Sequence, residues 1–136
     1  MHPLVEKLEK RLLPEFEKIA EKIRREIPNV LANIESHSSG FDEYSGHAIN
    51  ISCLLTKDYF TESDNVALCI GISTLVSTPK IDACVCWGHP SGYIEKEFAD
   101  NPLEASDEIL ENLYKDLPHL YEALFEALKR RKPGNE

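Results

Sequence analysis

The middle of the chain alternates apolar and polar residues in several short segments, from Gly46 to Phe98. Such alternation is typical of antiparallel strands that bury one face of a sheet. The pattern also indicates a weaker first strand, and it ends in a short, charged segment that suits an edge strand. We therefore predict five strands: Asn29 to Ser36, His47 to Leu55, Asn65 to Thr78, Ile81 to Gly88 and Gly92 to Phe98.

Two segments with apolar residues three and four positions apart bracket these strands, which predicts two amphipathic helices. The first helix runs from Pro3 to Ile27, and its interior Pro14 is expected to kink or split it after Leu13. The second helix opens at Asn101-Pro102-Leu103-Glu104, where Asn suits the N-cap and Pro the first turn. A leucine seam then follows in this helix: Leu110, Leu113, Leu117, Leu120, Leu124 and Leu128.

The resulting fold class is α+β. We predict an antiparallel meander of four to five strands, bracketed by N- and C-terminal helices in the order α-β-β-β-β-(β)-α. At 136 residues the chain suits one domain, residues 1–136, with a core of its own.

Turn chemistry and alternation together suggest strand registers. A tight turn at Thr78-Pro79-Lys80-Ile81 would place Ile72 opposite Trp87. Pairing Leu55 with Val66 would place Cys53 beside Leu68 on the same face. The opposite face then carries small, mostly neutral residues: Asn50, Ser52, Leu54, Ala67, Cys69, Gly71, Ser73, Leu75, Asp82, Cys84, Cys86 and Gly88.

A neutral sheet face indicates that something packs on it, either a helix or another chain. If both helices cover the Ile/Leu/Trp face, we predict a homodimer or a permanent partner on the face of Ser73, Cys84 and Cys86.

The net charge of −9 argues against nucleic-acid binding, which needs clustered Lys and Arg. Residues 28–100 hold three basic and ten acidic groups, so most of the negative charge, −7, belongs to the sheet and its loops. This charge serves solubility, and it can also steer a basic partner. No apolar run is long enough to span a membrane. The charged N-terminal segment differs from a secretion signal, so we predict a cytoplasmic protein.

Chemistry-bearing residues form no recognisable catalytic set, and we predict neither an enzyme nor a cofactor. Cys84 and Cys86 share a strand face and can be interpreted as a metal or redox pair, or as small buried residues. Two ligands are too few for structural zinc, and the register above keeps Cys69 away from them. His89, in a Pro/Gly turn, is either a ligand or general base, or an exposed turn residue.

Loop aromatics beside carboxylates are typical of recognition surfaces. In a meander, the loop after the second strand and the turn after the fourth fall at the same end of the sheet. We predict a binding site at that end; the alternative is that the rings fold back onto the core. The residues of the predicted binding site are Asp58, Tyr59, Phe60, Glu62, Asp64 and His89.

The acidity and the loop aromatics favour a small, non-catalytic protein-binding module, such as an immunity-type inhibitor or a chaperone of a basic partner. Helices bracketing an antiparallel sheet, with Trp87 near the turn Pro90-Ser91-Gly92, also give an acidic chain whose architecture resembles frataxin. The alternative function is a frataxin-like or other small metal- or ligand-binding protein that uses Cys84, Cys86 or His89.

Overall fold

The computed structural model describes residues 3–28, 30–39, 46–55, 65–73, 80–87, 92–99 and 107–130, with residues 92–99 and a few strand ends described by their backbone. In sequence order, five strands lie between two helices. They are α1 (Pro3–Glu26), β1 (Val30–Ser39), β2 (Gly46–Leu55), β3 (Asn65–Ser73), β4 (Lys80–Trp87), β5 (Gly92–Ala99) and α2 (Asp107–Arg130).

The strands form one antiparallel sheet in the order β1-β2-β3-β4-β5. Each strand therefore pairs with its neighbours in sequence, as a meander requires. The predicted α+β class and the helix-strand-helix bracketing are confirmed, with β5 present as an edge strand. Within the described residues, neither helix is long and apolar enough to cross a membrane.

Both helices run without interruption through their prolines. α1 continues across Pro14 and α2 across Pro118, so the expected split after Leu13 is wrong. Both prolines are exposed. A proline on the solvent side removes one helical hydrogen bond, but water can satisfy the carbonyl that loses its donor.

One face of the sheet carries the whole core of the described residues. α1 lies mainly over β1 and β2, while α2 lies over β3, β4 and β5. The apolar stripe predicted on α1 is buried except for the half-buried Ile19, and the leucine seam of α2 is buried throughout. These helices meet the inward residues of the sheet: Val30, Ala32, Ile49, Ile51, Cys53, Val66, Leu68, Ile70, Ile72, Ile81, Ala83 and Val85.

The two helices run parallel, since an odd number of strands separates them. Lys7 pairs with Asp107 at 2.6 Å near the start of both helices. Further along, the Phe16 ring meets the Tyr121 ring edge-on, with centroids 6.2 Å apart. The helices thus form one continuous layer over a single sheet face.

The predicted registers are wrong, although the predicted faces are right. Trp87 pairs with Val66 instead of Ile72, and Ser73 pairs with Lys80, whereas a turn at residues 78–81 would have placed Ser73 opposite Cys86. Cys53 likewise pairs with Val66 instead of Leu68. Both differences are even numbers of residues, and an even slip keeps every side chain on its own face. The predicted turn residues 78 and 79, and residues 74 to 77 before them, lie outside the described residues.

Candidate binding surface

Neither of the described helices covers the sheet face opposite the core, and we call that face the open face. Its described residues are all partly or fully exposed, whereas most residues of alternate positions are buried. β1 contributes an exposed large apolar residue, Leu31, which is 52% exposed. The open-face residues with described side chains are Leu31, Asn33, Glu35, His37, Ala48, Asn50, Ser52, Leu54, Ala67, Cys69, Gly71, Asp82, Cys84 and Cys86, and the register adds Ser73, Lys80, Tyr93, Glu95 and Glu97 at open-face positions.

Small residues keep the centre of the open face flat. Across β2, β3 and β4, the register aligns Ser52 with Ala67 and Cys86. Gly71 pairs with Asp82, and a Cβ atom on Gly71 would lie only 2.6 Å from Asp82 Oδ1. The absent side chain at Gly71 is therefore what lets the Asp82 carboxylate lie across β3.

Among the described residues, one polar atom on the open face is shielded from solvent without a hydrogen-bond partner. This atom is Asn50 Oδ1. A buried acceptor without a donor costs about 1–3 kcal/mol. Asn50 lies between Glu35 on β1 and Cys69 on β3, so a donor brought by a docked partner would remove that cost after a small rotation of the amide.

Three thiols cluster on the open face, contrary to the expectation that Cys69 lies apart. Cys69 is the direct cross-strand partner of Cys84, and Cys86 follows two positions later on the same face. The thiols of Cys69 and Cys86 each take part in hydrogen bonds within this group. The error in the predicted register caused this miss. Cys53 lies on the buried face, as predicted, and no disulfide joins the four cysteines.

The environment of these thiols favours their protonated form. The hydrogen bond with Cys84, together with burial, raises the pKa of Cys69 far above the usual thiol range. Burial raises the pKa of Cys86, and it raises the pKa of Cys53 to about 12. Metal ligation requires the thiolate. Within the described parts of the chain, no three or more His, Cys, Asp or Glu side chains are arranged to hold a metal ion.

A second polar group joins α1 to the edge of the sheet. The Ser36 hydroxyl donates a hydrogen bond to Glu9, and the same oxygen lies 2.8 Å from His47 Nε2. The His47 Nε2 atom is 3.6 Å from Glu9 Oε2, and its side chain is only 9% exposed. Sequence reasoning missed this cluster, but a signal existed: Ser36 and His47 are polar residues at positions whose alternation points toward the core.

The geometry of this cluster excludes a serine-hydrolase arrangement. Because Ser36 donates its only hydroxyl proton to Glu9, His47 Nε2 must be the donor toward Ser36. A catalytic histidine instead presents an unprotonated Nε2 to the serine and binds the carboxylate through Nδ1. We interpret the cluster as a polar clamp that fixes α1 on β1 and β2.

The helix layer has a polar seam of its own. Arg11 lies 4.6 Å from the centre of the Tyr114 ring and pairs with Glu15 at 2.7 Å. Tyr121 donates a hydrogen bond of 2.5 Å to the other oxygen of Glu15. Burial would raise the pKa of Glu15, but the bonds from Tyr121 and Arg11 together outweigh it and hold that pKa below its ordinary 4.5.

Tyr121→Phe is expected to raise the pKa of Glu15 and to lower the free energy of unfolding at neutral pH by about 1 kcal/mol. Because the folded-state pKa is depressed, the stability from Glu15 is present above about pH 4.5 and is lost as the pH falls through the folded-state pKa. The variant should therefore lose less stability than the wild type over that range. An NMR titration of the Glu15 carboxyl and acid unfolding check this. Tyr114→Phe is the matched control, and an unchanged Glu15 titration in Tyr121→Phe would contradict the interpretation.

The residues predicted as a binding site lie outside the described residues: Asp58, Tyr59, Phe60, Glu62, Asp64 and His89. The strand ends that flank them are described. Leu55 and Asn65 lie at the same end of the sheet as Trp87 and Gly92, because Trp87 pairs with both Val66 and Gly92. The structure thus leaves the predicted site untested and places its flanking strand ends together.

Comparison with known proteins identifies no relative: no family model, curated protein or solved structure matches this chain. The open face and the distribution of charge are therefore the features of this chain that bear on its function.

Proposed function

We propose that this protein is a non-catalytic protein-binding module that docks a basic protein partner on its open face. The observation that carries the proposal is the placement of both helices on one side of the sheet. On β2 and β3 the opposite face carries mostly small, neutral residues, while a solvated sheet face usually carries Lys, Glu and Thr.

The open face is large enough for a specific interface. Its strands are eight to ten residues long. Five strands at the usual spacings cover roughly 24 Å by 27 Å, or roughly 600 Å². A standard interface buries about 800 Å² on each partner. Contacts from residues around the edge of the sheet would supply the remaining area.

Charge favours a basic partner over a second copy of the chain. At open-face positions the strand register places four acidic residues, Glu35, Asp82, Glu95 and Glu97, and one basic residue, Lys80. The segment from residue 28 to 100 carries −7 of the total charge of −9. Two such faces repel each other, whereas a basic surface is attracted and steered to its contact.

The proposal extends to the loop residues predicted to bind. Asp58, Glu62 and Asp64 would act at the rim, where charge mainly sets the association rate. Tyr59 and Phe60 would supply anchor area, with His89 beside them. An immunity-type inhibitor or a chaperone of a basic partner fits this surface. We place the module in the cytoplasm, where reduced cysteines are the rule.

The test is photo-crosslinking in the cells that produce the protein, with p-benzoylphenylalanine in place of Ala67 at the centre of the open face. The same group in place of Asn112, exposed on α2, is the control. We expect a crosslink to one basic protein from position 67 and none from position 112. A crosslink to a second copy would replace the basic partner by a homodimer, and the absence of any crosslink from position 67 would refute docking on this face.

A further inference from the structure

The thiol cluster on the open face has a geometry that suits covalent chemistry. We propose that Cys69 and Cys84 are a dithiol site that a low-molecular-weight disulfide, such as oxidised glutathione, converts to a cross-strand disulfide. This inference stands on the sheet register alone and does not depend on the proposed partner.

The distance requirement is met by direct pairing. Cys69 and Cys84 are opposite each other on antiparallel β3 and β4. Residues so placed have Cα atoms roughly 4.5–5.5 Å apart, and disulfides join cysteines whose Cα atoms are roughly 4.4–6.8 Å apart. The two thiols already share a hydrogen bond, so the sulfur atoms face each other without a change of register.

Access separates this pair from Cys53, and strand pairing separates it from Cys86. Cys69 and Cys84 are partly exposed on the open face, so a small disulfide can reach them. Cys53 is fully buried on the helix side of the sheet. Cys86 lies beside the pair on β4, but it follows Cys84 on the same strand and its own cross-strand partner on β3 is Ala67.

The reaction balances as an ordinary thiol–disulfide exchange. One cysteine of the pair loses its proton, attacks the glutathione disulfide and releases one glutathione thiol, which leaves a mixed disulfide. The second cysteine then loses its proton and attacks the protein sulfur of that mixed disulfide, releasing the second glutathione thiol. Two cysteine thiols are oxidised, and one glutathione disulfide is reduced to two thiols.

The surroundings of the thiols set the rate. Hydrogen bonding with Cys84 and burial raise the pKa of Cys69, so little thiolate is present at neutral pH. The thiolate is the attacking species. Attack by Cys69 should therefore be slow at pH 7 and faster as the pH rises, since the thiolate fraction increases with pH.

The test treats the fully reduced, folded protein with oxidised glutathione and counts thiols by mass spectrometry. We expect the four thiols of the chain to fall to two, with the mass of a monomer less two hydrogens. Trypsin cleavage at Lys80 separates Cys69 from Cys84, so the disulfide joins two peptides. Reduction should restore the original mass.

Variants identify the partners. Cys86→Ser should keep the linked peptides, and since that variant has no other thiol in the β4 peptide, the link must then involve Cys84. Cys69→Ser and Cys84→Ser should both lose the link, and circular dichroism checks that each variant is folded. If either variant fails to fold, peptide mapping of the wild type identifies the linked cysteines. A stable glutathione adduct, a Cys84–Cys86 link, a disulfide between two chains or four unchanged thiols would each overturn the proposal.

Discussion

Phe16→Ala is expected to lower the free energy of unfolding by about 3–5 kcal/mol. The Phe16 side chain is fully buried and packs edge-on against Tyr121, so truncation leaves a cavity between α1 and α2. This is a large share of the roughly 5–15 kcal/mol that stabilises a typical domain. Urea unfolding followed by circular dichroism measures the change.

The control for Phe16→Ala is Leu31→Ala on the open face. Leu31 is 52% exposed, so its truncation should change the free energy of unfolding by less than about 0.5 kcal/mol. The contrast between the two variants reports which side of the sheet is the core. Equal losses from the two variants would mean that the open face is buried within the folded chain.

Ala67→Arg is expected to weaken binding of the crosslinked partner by at least about 100-fold, which corresponds to about 2.7 kcal/mol. Ala67 lies on the central strand β3, between Ser52 and Cys86. An arginine there would be buried without a partner at the centre of the interface and would repel basic groups. Isothermal titration calorimetry with the partner measures the affinity.

Asn112→Arg is the matched control for Ala67→Arg, since it adds the same charge at an exposed position on α2. We expect its affinity to stay within about threefold of the wild type, because a distant surface charge acts only through screened electrostatics. Equal weakening by both variants would show that net charge, and not the open face, governs binding.

The sequence predicts the faces of this sheet better than its pairing. Apolar residues such as Ile49, Ile51, Leu68 and Ile70 mark the buried side, and all four are fully buried. Alternation cannot choose between registers that differ by two or six residues, because every such slip buries the same side chains. The position of the turn between β3 and β4 decides the register, and the observed pairing of Ser73 with Lys80 differs from the pairing that the turn signal at Pro79 predicted.

The ambiguity of the strand register also explains why part of the candidate site was not predicted. The neutral character of the open face follows from alternation alone, and both helices do lie on the other side. The contact between Cys69 and Cys84 requires the register itself, so the predicted separation was wrong. The open-face residues of β1, including Leu31, were missed because the first strand has a weak pattern and was given no place in the pairing.

The polar clamp at Glu9, Ser36 and His47 shows a different limit of prediction from sequence. Polar residues at core positions of β1 and β2 indicate that something must satisfy them. The sequence alone does not say that the partner is a carboxylate from α1, since that depends on how the helix crosses the sheet.

The most direct test of the open face as the docking surface is the rate at which iodoacetamide alkylates Cys86 in the reduced protein, alone and with the crosslinked partner. We expect alkylation of the isolated protein at pH 8.5 and at least about tenfold slower alkylation in the complex, since a docked surface excludes the reagent. Cys53, buried on the helix side, should stay unmodified in both samples. Equal alkylation of Cys86 with and without a saturating amount of the partner would contradict docking on the open face.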